Sequence, residues 1–198
     1  MAKFIYISQR VDINPDYKEN RDALDQRWAD FLCKAGYIGV PVFNHIKTVE
    51  QMLHAFKPQG ILLSGGNSPA KYGGTAPERD CVDDLLISYA AQNKTPLIGV
   101  CRGMQSIVLH YGGTLCTVEN HVAIRHKING EFAREVNSYH TLALEKLPDD
   151  FILTNNSHDG VAESIRHKIL PIVGIMWHPE RENVFDNDDL TLFRSLFQ

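Results

Sequence analysis

The stretch Leu97-Ile98-Gly99-Val100-Cys101-Arg102-Gly103-Met104-Gln105 puts a cysteine between two glycines, where an apolar run gives way to a helical pattern. Leu97, Ile98 and Val100 form a short apolar run that suits a buried strand. Met104, Ile107, Val108 and Tyr111 then recur at the spacing of one helix face, and Gly112-Gly113 ends it. A sharp strand-to-helix turn needs small neighbours, because glycine tolerates strained or positive φ. Buried cysteines are more often small core residues. The glycines two residues to either side favour a different reading, a nucleophile elbow with sulfur in place of a hydroxyl. A helix N-terminus also favours thiolate over thiol.

The rest of the first half alternates. Lys3–Ser8 reads as a strand, and Leu24, Trp28, Phe31, Leu32 and Ala35 mark a helix closed by Gly36. Tyr37–Phe43 reads as a second strand, followed by a capping box at Thr48 and Gln51 before a helix through Phe56. Gly60–Gly66 reads as a third strand, and Val82, Leu85, Leu86, Tyr89 and Ala90 mark a helix that stops before Pro96. This rhythm predicts a mostly parallel sheet covered on both faces. The second half is richer in short strands, at 121–126, 131–137, 151–156, 160–167 and 172–177, and closes on a helix bearing Leu190, Phe193 and Leu196.

Length and composition fit one domain over residues 1–198, with 43% hydrophobic and 22% charged residues. A net charge of −4 leaves no basic footprint for nucleic acid. No run approaches the roughly 20 apolar residues of a membrane span, and the first residues are too short in apolar content for a signal peptide. Cys33, Cys81, Cys101 and Cys116 show no paired spacing, so a reduced, cytoplasmic setting is expected.

A nucleophilic cysteine needs a base and an oxyanion hole. His178-Pro179-Glu180 follows an apolar strand. Alternate residues of an extended segment share a side, so the carboxylate can orient the imidazole, and Pro179 keeps His178 extended. Ser64-Gly65-Gly66 lies at the carboxyl end of the third strand, where ligands bind on open α/β sheets. A backbone N–H there, together with that of Arg102, would serve an oxyanion. No Gly-Lys-Ser/Thr follows the glycines, which argues against a phosphate loop. His45, His54, His110, His121, His126, His140, His158 and His167 read mostly as surface or satisfied polar residues. His121 and His126 match no zinc spacing, so no metal is expected.

Gly99–Gln105, Gly112-Gly113-Thr114-Leu115, Val136–His140 and Trp177–Glu180, in that order, resemble the class I glutamine amidotransferase superfamily across nearly the whole chain. The resemblance implies a flavodoxin-like α/β fold and a triad of Cys101 as nucleophile, His178 as base and Glu180 as its orienter. It implies oxyanion N–H groups from Gly66 and Arg102, with Gly65, Gln105 and the Asn137-Ser138-Tyr139 segment around a γ-glutamyl group. Arg102 in the elbow, the loop Ser64–Gly74 followed by Glu78-Arg79-Asp80, and Val136–His140 are similar to the γ-glutamyl hydrolase branch. That branch often has a glutamine where Leu142 stands.

The segment from Tyr6 to Leu32 is similar to γ-glutamyl-CDP-amidate hydrolases of bacterial capsule phosphoramidate synthesis. The resemblance implies hydrolysis of a small γ-glutamyl substrate through a thioester, with no metal or organic cofactor and no nucleic-acid or membrane partner. Arg10, just after the first strand, and Lys71, after the third, are the cations expected near an anionic leaving group. Other readings are a γ-glutamyl-γ-aminobutyrate-type hydrolase, a glutaminase subunit serving a separate synthetase partner, and a catalytically silent module on the same fold.

Overall fold

The computed structural model describes residues 3–198. β1 (Phe4–Ile7) leads into a hairpin, β2 (Arg10–Asn14) and β3 (Glu19–Ala23), then α1 (Arg27–Ala35), β4 (Ile38–Pro41) and α2 (Ile46–Ala55). β5 (Gly60–Leu63), α3 (Pro77–Asn93), β6 (Leu97–Val100) and α4 (Arg102–His110) complete the alternating half. The chain continues through β7 (Thr114–Thr117), β8 (Val122–Gly130), β9 (Arg134–Tyr139) and β10 (Leu142–Lys146). It ends with β11 (Phe151–Ser157), β12 (Ala162–His167), β13 (Ile172–Ile175) and α5 (Asn187–Leu196).

Nine strands form one sheet in the order β4-β1-β5-β6-β13-β12-β11-β8-β9. The pairings from β4 to β13 are parallel, and those from β13 to β9 are antiparallel. β7 pairs with β10 outside this sheet. The expected α/β fold is therefore present, mostly parallel in its alternating half and antiparallel in the strand-rich remainder.

Strand alternation sorts the core onto two faces. Tyr6, Ile61, Leu63 and Leu97 face α2, α3 and α4 through Val49, Leu53, Val82, Leu86, Ile107 and Val108. Ile5, Ile7, Leu62, Ile98 and Val100 face α1 and α5 through Trp28, Phe31, Leu32, Phe193 and Phe197. Phe31 and Phe193 meet edge-to-face at 4.8 Å, and truncating such a buried ring costs about 3–5 kcal/mol. Gly36 at φ 96° ends α1 in the left-handed conformation, as expected.

Three local expectations fail. The capping box at Thr48 and Gln51 is not formed, because α2 begins at Ile46 and Thr48 lies inside it. Thr48 Oγ1 instead sits 2.8 Å from His45 Nδ1. The β2–β3 hairpin replaces the loop expected after β1; its residues are largely polar and carry almost no hydrophobic alternation. β7 and β10, too short for a clear period, were not anticipated as strands.

Candidate active site

Cys101 joins β6 to α4 with φ 51° and ψ −102°, a region non-glycine residues rarely enter. Its N–H donates to the Ile175 carbonyl of β13 at 2.7 Å. The flanking glycines answer to close packing. A Cβ on Gly99 would lie 2.5 Å from the Gly103 backbone, and one on Gly103 would lie 2.2 Å from the Leu63 carbonyl of β5. Only glycine lets α4 start this close to the sheet, with Cys101 held strained at its N-terminus.

β13 runs parallel beside β6, so the residues just after each strand emerge together at the carboxyl edge. His178 follows β13 in an extended conformation, as Pro179 requires. Glu180 does not reach it by strand alternation. Pro179–Arg181 form a short 3₁₀ turn that brings the carboxylate back, and His178 Nδ1–H donates to Glu180 Oε1 at 2.7 Å. Both side chains are buried. Burial alone would lower the His178 imidazole. The Cys101 sulfur and the Glu180 carboxylate outweigh it and push it up to about 9. With Nδ1 committed to Glu180, Nε2 is left for Cys101.

The Ser64-Gly65-Gly66 loop leaves β5 at the same edge. A Cβ on Gly65 would stand 2.6 Å from His178 Cε1. Gly66 has φ 94°, and a Cβ there would press on the Arg10 stem at 2.9 Å. A fully buried arginine, Arg79 of α3, donates to the carbonyls of Ser64, Gly65 and Gly66. With those carbonyls turned to Arg79, the loop's opposite side is free for N–H groups. Burial lowers Arg79 to about 10 while Asp83 raises it, so it stays charged near neutrality. Arg102 directs its guanidinium away from the cleft, to Asp80, Asp83 and Ser106. What it can offer an oxyanion is its N–H, the first of α4 and one with no intrahelical acceptor.

Two adjoining cavities share Gly66, His178 and Arg181. One, of about 240 Å³, holds Cys101, Gln105, Tyr139 and Leu142. The other, of about 160 Å³, holds Arg10, Asp25, Trp28 and Gly65. Gln105 is tied to the wall by donating Nε2–H to the Leu142 carbonyl at 3.0 Å. Tyr139 stacks edge-on against His178 at 5.7 Å, with the Arg181 guanidinium 4.5 Å from its ring centre.

Asn137 and Ser138 do not line either cavity. They lie within β9 rather than on a turn, and their side chains are buried. Asn137 bonds the His178 backbone, and Ser138 Oγ donates to the His121 carbonyl at 2.7 Å. Of the 137–139 segment, only Tyr139 lines the pocket. Arg10 borders the second cavity from β2, half exposed and paired with Asp12 at 3.1 Å. Lys71 lies instead in a separate depression with Asp80, Asp84 and His110. His121, His126, His140 and His167 are buried rather than superficial.

Arg79 and Asn67 were missed as supports of the site. Asn67 exchanges two hydrogen bonds with the Val11 backbone, 2.8 and 2.9 Å, and docks the hairpin on the glycine loop. The available signal was a charged Arg79/Asp83 pair at i,i+4 on the apolar side of α3.

An open α/β sheet thus brings a cysteine elbow, a carboxylate-paired histidine and a glycine loop to one edge. The glutamine amidotransferase class-I family model matches residues 17–195, and the chain belongs to that family. It is 31% identical to a gamma-glutamyl-CDP-amidate hydrolase of Campylobacter jejuni over 189 residues, covering 93% of each chain. It is 34% identical to anthranilate synthase component 2 of Azospirillum brasilense, over 69% of this chain and 72% of that one. A solved glutamine amidotransferase of Thermotoga maritima shares the fold, with a TM-score of 0.68 at 17% identity over 91% of this chain and 77% of that one. Among the described residues, no helix is long and apolar enough to cross a membrane.

Proposed function

We propose that this chain hydrolyses a γ-glutamyl amide-type bond through Cys101, and that its substrate is γ-glutamyl-CDP-amidate. The observation that carries the reaction class is the meeting of Cys101 and His178 in one cavity, with His178 bonded to a buried Glu180. The Cys101 thiolate attacks the γ-carbonyl carbon, and the oxyanion rests on the N–H groups of Gly66 and Arg102. The His178 imidazolium gives its proton to the leaving nitrogen as the C–N bond breaks. Water, deprotonated by His178, then attacks the γ-glutamyl thioester and releases glutamate. Gln105 and Tyr139 border the glutamyl side, and the cavity beyond Gly66, with Arg10 and Arg181, is left for the leaving group.

The choice of substrate is supported by the C. jejuni hydrolase, which is similar over nearly the full length of both chains. A second reading is favoured by the likeness to anthranilate synthase component 2: a glutaminase subunit that passes ammonia to a synthetase. The test is a panel with purified chain alone, comparing kcat/KM for glutamine, γ-glutamyl-γ-aminobutyrate and γ-glutamyl-CDP-amidate. The nucleotide substrate is expected to lead. Preference for either of the others overturns the substrate and leaves the reaction class. Turnover only with an added synthetase favours the subunit reading. Cys101→Ala is expected to lose on the order of 10⁴-fold in rate while staying folded; retention of more than a few per cent of the rate rules out Cys101 as nucleophile.

A further inference from the structure

Beside the Cys101 cavity, whose lining includes His140, three buried imidazoles surround one buried carboxylate. His121 precedes β8, His126 lies within it, His140 sits between β9 and β10, and Glu163 is on β12. From Glu163 Oε1, His126 Nε2 is 3.2 Å away, His121 Nδ1 is 3.6 Å and His140 Nε2 is 3.6 Å. The ligand atoms of His121, His126 and Glu163 all lie within 4.8 Å of one another. Yet among the described residues neither Glu163 oxygen, neither nitrogen of His126 or His140, nor His121 Nδ1 has a hydrogen-bond partner. Buried polar atoms are nearly always paired, so a cluster of unpaired ones on one centre needs an explanation.

His121 supplies it. Its Nε2–H donates to Asp159 Oδ2 at 3.0 Å. With the proton on Nε2, His121 Nδ1 carries a lone pair and points at a carboxylate oxygen. A lone pair facing a carboxylate oxygen at 3.6 Å is repulsive unless a cation lies between them. Tetrahedral zinc with bonds of about 2.0–2.1 Å has ligand atoms about 3.3 Å apart, close to the 3.2 and 3.6 Å found here. A carboxylate on the far nitrogen of a ligating histidine is the usual outer support of such a site.

We propose that His121, His126 and Glu163 bind one divalent transition-metal ion, zinc by the nitrogen-oxygen donor set, with Asp159 as the outer carboxylate and His140 beside the site, its Nε2 3.6 Å from Glu163 Oε1. All three ligands are buried, which makes the site a structural one. It fastens β12 to β8, beside the β9–β10 junction that carries His140. That junction carries Tyr139 and Leu142, while the Glu163 carbonyl accepts from Met176 N–H two residues before His178. The metal would thus brace a wall of the Cys101 cavity to which the neighbouring His140 also belongs.

The test uses tag-free chain in a Cys101→Ala background, so that the cleft thiol cannot ligate metal. Elemental analysis after gel filtration without chelator should find about one zinc per chain. Cobalt-loaded protein should show the visible absorption of a tetrahedral nitrogen-oxygen site. His126→Ala and Glu163→Gln should each lose the zinc. If either variant fails to fold, stripping the parent with dipicolinate should lower its Tm, with zinc but not magnesium restoring it. Folded parent with less than about a tenth of an equivalent of metal and no zinc-dependent Tm shift would overturn the site. So would zinc retained in both folded variants.

Discussion

Asn137 grips the backbone of His178 on both sides: its Nδ2–H donates to the His178 carbonyl and its Oδ1 accepts from the His178 N–H, each at 2.8 Å. A strand on the antiparallel side of the sheet thereby fixes the backbone that bears the His178 imidazole. Asn137→Ala leaves the buried His178 N–H unpaired and its carbonyl with the Arg181 N–H alone, at a cost of about 1–3 kcal/mol. It should lower Tm and reduce kcat by roughly 10–100-fold through misplacement of the imidazole, with KM little changed. Steady-state kinetics with a folding check by circular dichroism separates these effects. A rise in KM at unchanged kcat would mean that Asn137 contacts substrate instead.

His178 is raised from 6.5 to about 9 because Cys101 and Glu180 overcome its burial. The sign follows from the protonated form being the favoured one in the fold. Its stabilisation is fully present below about 6.5 and is lost as pH rises through about 9. In the proposed mechanism the same proton goes to the leaving nitrogen, so kcat/KM should fall on the alkaline side with a midpoint near 9. Glu180→Gln removes one of the two raising partners and should move that midpoint to lower pH. An alkaline limb that stays in place in Glu180→Gln would assign it to another group.

The alternating half of the fold was legible because its strands are short apolar runs and its helices show a clear apolar face, as at Trp28, Phe31 and Leu32. The elbow was legible for a local reason: strain at Cys101 and the tightness at Gly99 and Gly103 act on adjacent residues, so composition records them. What sequence could not give was any contact across the sheet. Asn137 and His178 are 41 residues apart. Asn137 in its Asn-Ser-x-His motif was accordingly assigned to substrate, although its amide bonds the His178 backbone. The same holds for the buried imidazoles: His126 and Glu163 meet only because β8 and β12 lie on the same stretch of sheet. Spacing along the chain carries no trace of that. The β2–β3 hairpin was hidden for another reason, since its register is set by backbone pairing and by Asn67 rather than by buried side chains.

Gly65 offers a test of the cleft that leaves every titrating group in place. Its Cβ position is 2.6 Å from His178 Cε1, below any tolerated contact. Gly65→Ala should therefore push the imidazole off Cys101 and cut kcat by about 100-fold. The His178 titration, followed by proton–carbon NMR of the imidazole, should shift down from about 9 as the Cys101 contact is lost. Unchanged titration alongside lost activity would mean that the methyl group blocks substrate rather than displacing the base.

Arg10 carries the prediction about the leaving group. Its stem packs on Gly66, its guanidinium borders the cavity beyond the glycine loop, and its partner Asp12 is as exposed as it is. An ion pair so open to solvent contributes little, so Arg10 can exchange Asp12 for a diphosphate at small cost. Loss of a charged hydrogen bond to phosphate is worth about 1.5–3 kcal/mol, which corresponds to roughly a ten- to hundredfold rise in KM. Arg10→Ala should show that rise for γ-glutamyl-CDP-amidate and leave KM for glutamine unchanged, because on the proposed reading the glutamyl group is held on the Cys101 and Gln105 side. Arg10→Lys should recover part of the affinity, since it keeps the charge and loses the planar fork. Asp12→Asn, which frees Arg10 from its carboxylate, should lower KM for the nucleotide substrate, and added salt should shrink the difference between the variants. Equal effects of Arg10→Ala on both substrates would remove Arg10 from phosphate recognition and leave Arg181, shared by both cavities, as the remaining cation at that edge.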